Sequence, residues 1–92
     1  MTAFILICSV ATSLSSPASA DIKSAVAAYK NGNYELAFEE LSRLSERGNS
    51  VAQRLLGNMY QGGLGVVKNH GLAFEFYLRA AQQGDPLAQF MV

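Results

Sequence analysis

The chain has 92 residues, which is enough for one small domain. Its seven basic and seven acidic residues cancel, half of all residues are apolar, and 15% are charged. This balance excludes a disordered acidic or basic tail. It also argues against a nucleic-acid module, which needs a surplus of positive charge against phosphates. The single cysteine, Cys8, cannot form an internal disulfide framework or a zinc knuckle.

The first twenty residues differ from the rest, because no charged residue precedes Asp21. An apolar run over residues 3–11 is followed by a small, polar stretch that ends Ala-Ser-Ala at 18–20. The run is too short to span a bilayer, and small residues before a cleavage point suit signal peptidase. Residues 1–20 are therefore predicted to be a cleavable signal peptide. Residues 21–92 are predicted to be the exported chain, periplasmic or secreted.

One feature departs from the usual signal peptide, since no lysine or arginine precedes the apolar run. A disordered N-terminal tail and an uncleaved anchor are the alternatives. Cleavage after Ala20 would remove Cys8 and leave the exported chain without cysteine. No transmembrane span is expected in that exported chain.

Within residues 21–92 the sequence repeats itself with a shift of 36 residues. Leu-Ala-Phe-Glu at 36–39 recurs at 72–75, and Ala-Gln at 52–53 recurs at 88–89. Arginine and glycine recur with the same shift between these two motifs. A period of this length, with helical patterning inside it, is typical of an α-solenoid.

Helix caps and stops divide the repeat into helices and show no strand pattern. A first helix is predicted from Ile22 to Lys30. Asparagine or aspartate can cap each later helix, and glycine ends each of them except the last. The predicted caps are Asn33, Asn49, Asn69 and Asp85, and the predicted stops are Gly48, the glycine-rich run 62–65, and Gly84. The second helix is expected to bury Leu36, Ala37, Leu41 and Leu44.

Spaced small and aromatic residues in the second and third predicted units carry a family resemblance. They are Ala52, Leu56, Gly57, Tyr60, Gly63, Gly65, Ala73, Tyr77, Ala80, Ala81 and Gly84. With these residues, the stretch 49–84 closely resembles the Sel-1-like repeat, a relative of the tetratricopeptide repeats. Phe76 stands where that family usually has tryptophan. Residues 21–48 resemble a shorter tetratricopeptide-like unit, and residues 85–92 the start of a further repeat.

The resemblance implies an all-α fold, an α-solenoid of antiparallel helix pairs. Small residues at Gly57, Ala73 and Ala80 are expected to let two helices approach closely. Tyr60 and Tyr77 are expected to fill the space between them.

Candidate catalytic chemistry is scarce in this sequence. His70 has no evident nucleophile or carboxylate partner, and the glutamates of the second helix fit a solvated face. The run 62–65 lacks the preceding strand and the following Lys-Ser/Thr of a phosphate loop. No catalytic residue, metal ligand or cofactor is therefore expected.

The predicted binding surface is the concave face, which the first helix of each pair lines in such solenoids. Arg54, Asn58 and Gln61 share one stripe by their spacing, and Lys23 and Lys30 belong to the matching stripe one repeat earlier. A polar groove with slight positive charge is expected there, suited to a peptide or an acidic segment of a protein partner. The alternative is that these residues are merely solvated.

The resemblance implies a non-catalytic scaffold or adaptor for protein–protein contacts in an exported or envelope complex. A regulator that restrains a membrane or signalling partner through the same groove is the alternative. Some cysteine-rich relatives are linked to β-lactam binding or hydrolysis, but residues 21–92 contain no cysteine.

The last predicted helix exposes Leu87, Phe90, Met91 and Val92, and no capping helix follows it in the sequence. The chain is therefore expected either to be a fragment of a longer product or to dock here. The docking partner would be a second copy or another protein.

Overall fold

The computed structural model describes residues 18–92, with side chains from Ile22 onward, and this part contains five α-helices and no strand. The helices are α1 (Ala18–Lys30), α2 (Tyr34–Glu46), α3 (Ser50–Gly62), α4 (His70–Gln82) and α5 (Pro86–Met91). Each helix packs against the next one along the chain. The all-α repeat fold expected from the sequence is confirmed.

The N-terminal boundary differs from the prediction. The helix α1 begins at Ala18 rather than at Ile22. Most of the predicted signal peptide, residues 1–17, lies outside the described residues. The predicted cleavage point after Ala20 falls in the first turn of α1.

Three of the four predicted caps close their helices through the side chain. Asn49 and Asn69 each accept the backbone N–H of the residue three positions on, at 2.9 and 3.0 Å. Asp85 accepts two such N–H groups at the start of α5, at 3.0 and 3.1 Å. These bonds satisfy donors that a helix leaves unpaired in its first turn.

Asn33 is the N-cap residue of α2, as predicted, but it does not cap the helix through its side chain. Its side chain makes no capping hydrogen bond, and only its backbone carbonyl accepts an N–H of the helix. The backbone explains the difference, because ψ is 72° at Asn33 but 116° at Asn49. The β-region conformation that aims a cap side chain at the helix is absent at Asn33.

The core lies between consecutive helices and is closed by leucine and methionine. The largest fully buried side chains are Leu41 and Leu44 of α2 and Leu56 and Met59 of α3. Leu36 was predicted to join them but is 40% exposed. Leu36 lies two positions before Phe38, so the two side chains point about 200° apart around α2. Phe38 lines a cleft with Phe76 and Arg79 of α4, whereas Leu36 lies on the opposite side of α2.

The closest approach in the fold is between α3 and α4 at Gly57. A Cβ atom placed at Gly57 would lie 2.6 Å from the ring of Tyr77. Ala73 and Ala80, one turn on either side of Tyr77, are fully buried. The predicted close approach of two helices at these small residues is therefore present, and it lets the Tyr77 ring lie on the backbone of α3.

The glycine-rich loop after α3 packs back on the start of α2. Gly65 has φ of 73°, in the left-handed region that favours glycine, and a Cβ there would lie 2.6 Å from Cβ of Tyr34. Gly63 ends α3 with φ of 67°. The loop then returns at Asn69, whose N–H donates to the carbonyl of Tyr60 at 2.9 Å.

Substitution of Gly57 by alanine tests the close approach. Alanine in a helix normally stabilises it by up to about 1 kcal/mol relative to glycine. Gly57→Ala is expected instead to lower the free energy of unfolding by about 1–3 kcal/mol, because the new methyl group overlaps the Tyr77 ring. Gly71→Ala is the matched control, since Gly71 lies in α4 with only ordinary contacts around it. Urea unfolding measures both, and a more stable Gly57→Ala protein would contradict the contact.

Candidate partner-binding site

An open apolar pocket of about 430 Å³ lies between α1 and the start of α3. The residues that line it are Ile22, Lys23, Val26, Ala27, Lys30 and Val51. All but Val51 belong to α1, where spacings of three and four residues place them on one side of the helix. The first helices of two consecutive pairs thus form this surface, as expected for the inner face of a solenoid.

Two lysines are the charged residues of this pocket. Lys23 and Lys30 are exposed and lie seven residues apart, which is about 10 Å along a helix. Neither forms an ion pair with a side chain that the structure describes. The pocket therefore combines an apolar floor with two positive charges that remain available to a ligand.

Arg54, predicted to share a groove with these lysines, has a different role. Its Nε atom donates to both carboxylate oxygens of Asp85, at 3.2 Å each. The Arg54 side chain is 19% exposed and that of Asp85 only 5%. Because Asp85 also caps α5, this ion pair fixes the start of α5 against α3.

Asn58 and Gln61, the other two members of the predicted stripe, bond to α4. Asn58 Oδ1 accepts the hydroxyl hydrogen of Tyr77 at 2.7 Å. Gln61 Oε1 lies 3.0 Å from Nδ1 of His70. Neither Asn58 nor Gln61 lines the pocket. The structure thus brings together the two lysines of the predicted groove, while its other three residues hold α4 and α5 on α3.

The apolar floor of the pocket is the part that sequence reasoning missed. Ile22 and Val26 were available as a signal, because Ile22, Val26 and Lys30 follow one another at a spacing of four on the same helix. Val51 comes from a different helix, so its approach to α1 depends on the packing of the two pairs.

Tyr77 carries the one resolved pKa shift among the described residues. Burial of its hydroxyl raises the pKa above the usual value of 10.0, the charge of Tyr29 adds to the rise, and the charge of Arg54 opposes it. Because the neutral phenol is favoured in the fold, Tyr77 is held as a hydrogen-bond donor to Asn58.

The described residues hold no cluster of three or more histidine, cysteine, aspartate or glutamate side chains suited to a metal ion. His70 contacts an amide oxygen rather than a carboxylate. Among residues 18–92, no helix has the length and apolar character needed to cross a membrane.

A comparison with known protein families finds a match over the region that forms α3 and α4. Residues 50–85 match the model of the Sel1 repeat. This match agrees with the resemblance seen in the sequence. The matched residues run from the start of α3 to Asp85, the cap of α5.

The positions that suggested the Sel1 repeat have structural roles. Ala52, Leu56, Gly57, Ala73, Tyr77 and Ala80 are buried between the helices. Tyr60 and Ala81 are half-buried, and Gly63, Gly65 and Gly84 have positive φ angles in the turns.

Two curated relatives, from Rhizobium leguminosarum bv. viciae and Rhizobium meliloti, match over 57 residues at 42% and 40% identity. Both are called exopolysaccharide production negative regulator. The match covers 62% of this chain and 21% of each relative, so the chain spans about a fifth of their length. Sel1 repeats typically serve protein–protein interaction, and the names of these relatives point to regulation rather than catalysis.

The titration of Tyr77 tests its burial and its bond to Asn58. The pKa of a tyrosine in an unfolded chain is about 10. Because the folded-state pKa is higher, the stabilisation is complete below pH about 10 and is lost as pH rises towards the folded-state pKa. Tyr77, one of the four tyrosines, is therefore expected to ionise at a higher pH than an unfolded tyrosine in an absorbance titration. The free energy of unfolding is expected to fall as the pH rises above about 10.

The matched variants for this titration are Tyr77→Phe and Tyr34→Phe. Tyr77→Phe is expected to remove the late ionisation and to cost about 1 kcal/mol of stability through the lost hydrogen bond. Tyr34→Phe leaves the Tyr77 hydroxyl in place and is expected to keep the late ionisation. A late phase that survives Tyr77→Phe would contradict the assignment.

Proposed function

We propose that this chain is a regulatory interaction module that binds an acidic, amphipathic segment of a partner protein in the pocket between α1 and α3. The observation that carries the proposal is the apolar floor with Lys23 and Lys30 at its edge. Burial of the partner's apolar side chains would supply most of the affinity. Its carboxylates near the lysines would speed association and select acidic segments over basic ones.

The spacing of the lysines fits a helical partner segment. A helix that lies along α1 with two carboxylates seven residues apart faces both lysines, because both helices rise equally per residue. Apolar residues between those carboxylates then face Val26 and Val51 across the pocket. This is the mode in which an amphipathic helix docks its apolar side in a groove.

The names of the curated relatives favour a regulator over a passive scaffold. We propose that this chain, too, restrains a partner that promotes exopolysaccharide production, by occupying a segment which that partner needs. Such restraint requires binding and no chemical step.

We also propose export, on the strength of the apolar run and the small residues before Asp21. Every residue that lines the pocket follows Ala20, so cleavage there would leave the pocket complete and shorten only the first turn of α1. Mass spectrometry of the chain purified from its own cells is expected to find Asp21 as the first residue. An intact Met1 would contradict export by cleavage.

A designed peptide tests the binding mode directly. The probe is a fluorescent helical peptide in which two glutamates seven residues apart flank a pair of leucines, and its control carries lysines in place of the glutamates. The chain is expected to bind the acidic probe, more weakly as salt rises, and to reject the basic one. The double variant Lys23→Glu, Lys30→Glu is expected to weaken binding of the acidic probe at least about tenfold at low salt.

Lys68→Glu is the matched control, because Lys68 is exposed in the loop between α3 and α4 and does not line the pocket. It is expected to bind as the wild type does. In the source cell, the double lysine variant and deletion of the gene are both expected to raise exopolysaccharide output. Equal binding of both peptides, or no effect of the double variant, would contradict the proposed site.

A further inference from the structure

A second cavity lies between α2 and α4 and has a different chemistry from the pocket beside α1. It is a cleft of about 170 Å³, and both of its walls are described helices. Its volume equals that of about five or six molecules of liquid water, at roughly 30 Å³ each. The residues that line its two walls are Phe38, Ser42, Ser45 and Glu46 of α2 and Phe76 and Arg79 of α4.

Aromatic rings form the apolar part of this cleft. Tyr60 of α3 lies between the two walls, stacked on Phe76 with ring centroids 5.8 Å apart. Phe38 meets the Tyr60 ring edge-on at 6.0 Å. The buried side chain of Leu56 lies beside them. A ligand that enters the cleft therefore meets an apolar surface on which a small hydrocarbon group can be buried.

Arg79 supplies a positive charge on one wall of the cleft. Its guanidinium carbon lies over the Phe76 ring, 5.2 Å from the centroid. Glu75 is one turn earlier on α4, yet the two side chains form no ion pair within the described part of the chain. An arginine that rests on an aromatic ring is held in place while its N–H groups stay free for a carboxylate. Arg79 can therefore bind a carboxylate through two hydrogen bonds.

Glu46 supplies a negative charge on the opposite wall. It is the last residue of α2, and the negative end of the helix dipole adds to its attraction for a cation. Glu46 is exposed and pairs neither with Arg79 nor with any other side chain that the structure describes. The hydroxyl of Ser42, one turn earlier, lines the same wall and makes no hydrogen bond to another described residue. This wall therefore suits an ammonium group.

We propose that the cleft binds a small α-amino acid with an apolar side chain, such as valine. Its carboxylate meets Arg79, its ammonium group meets Glu46, and its side chain lies on the aromatic rings. A ligand with a single charge would desolvate the second charge of the cleft without compensating it. The bound amino acid links α2 to α4 and so stabilises the packing of two helix pairs. This inference goes beyond the proposed function, because the cleft and the pocket beside α1 share no residue.

Thermal unfolding of the full chain with added valine tests the proposal. A ligand that binds only the folded state raises the melting temperature by mass action. L-valine is expected to raise it in the millimolar range, with an effect that saturates. Valinamide lacks the carboxylate, 3-methylbutanoate lacks the ammonium group and glucose is uncharged, so none of them is expected to do so at the same concentration and ionic strength. No effect of valine, or an equal effect of any of these three compounds, would overturn the proposal.

Substitutions on the two walls locate the binding in the cleft. Arg79→Gln and Glu46→Gln are each expected to raise the dissociation constant for valine at least about tenfold, measured by calorimetry. Arg43→Gln and Glu75→Gln are the matched controls, because both residues are exposed on the same two helices and do not line the cleft. They are expected to bind valine as the wild type does. Circular dichroism verifies that the helices of every variant are intact. Unchanged affinity in both wall variants would overturn the assignment of the site.

Discussion

The contact between Gly57 and Tyr77 fixes the position of α4, and most of the structure beyond α3 depends on it. Without a side chain at Gly57, the tyrosine ring rests on the backbone of α3 and its hydroxyl reaches Asn58. This places the Phe76 ring against Tyr60, with ring centroids 5.8 Å apart, and leaves Phe74 51% exposed. The next pair then starts at Asp85, which Arg54 holds from α3. The absence of a side chain at Gly57 thus determines where α4 lies on α3.

The two halves of the inner face differ because their polar groups have different partners. Between α3 and its successors, Arg54, Asn58 and Gln61 are bonded within the chain and hold the helices together. Between α1 and α3, the equivalent positions are Lys23, Ala27 and Lys30, which leave an apolar pocket with two available charges. Since a bonded polar group gains little from a new partner, the first half is the better binding surface.

Local features of the sequence predicted most of the fold. The caps at Asn49, Asn69 and Asp85 depend on a few neighbouring residues, and their positions were correct. The close approach at Gly57 followed from the repeat signature. The errors concern features that depend on packing. Leu36 is 40% exposed because it lies on the side of α2 opposite Phe38. The predicted stripe divides because Arg54 pairs with Asp85, 31 residues later. Of the predicted groove, Lys23 and Lys30 line the pocket between α1 and α3, while its apolar floor was not predicted, because it depends on how Val51 packs against α1. That this groove binds a partner stays a prediction.

The central claim is that the pocket between α1 and α3 is the surface that receives a partner. Backbone amide shifts in nuclear magnetic resonance, followed while the acidic helical peptide is added, test it residue by residue. The account predicts that shifts concentrate on residues 22–30 of α1 and around Val51, with Phe38, Phe76, Phe74 and Leu78 unchanged. Shifts concentrated at Phe38 and Phe76, or at Phe74 and Leu78, would contradict it and would assign the binding surface to the other side of the solenoid.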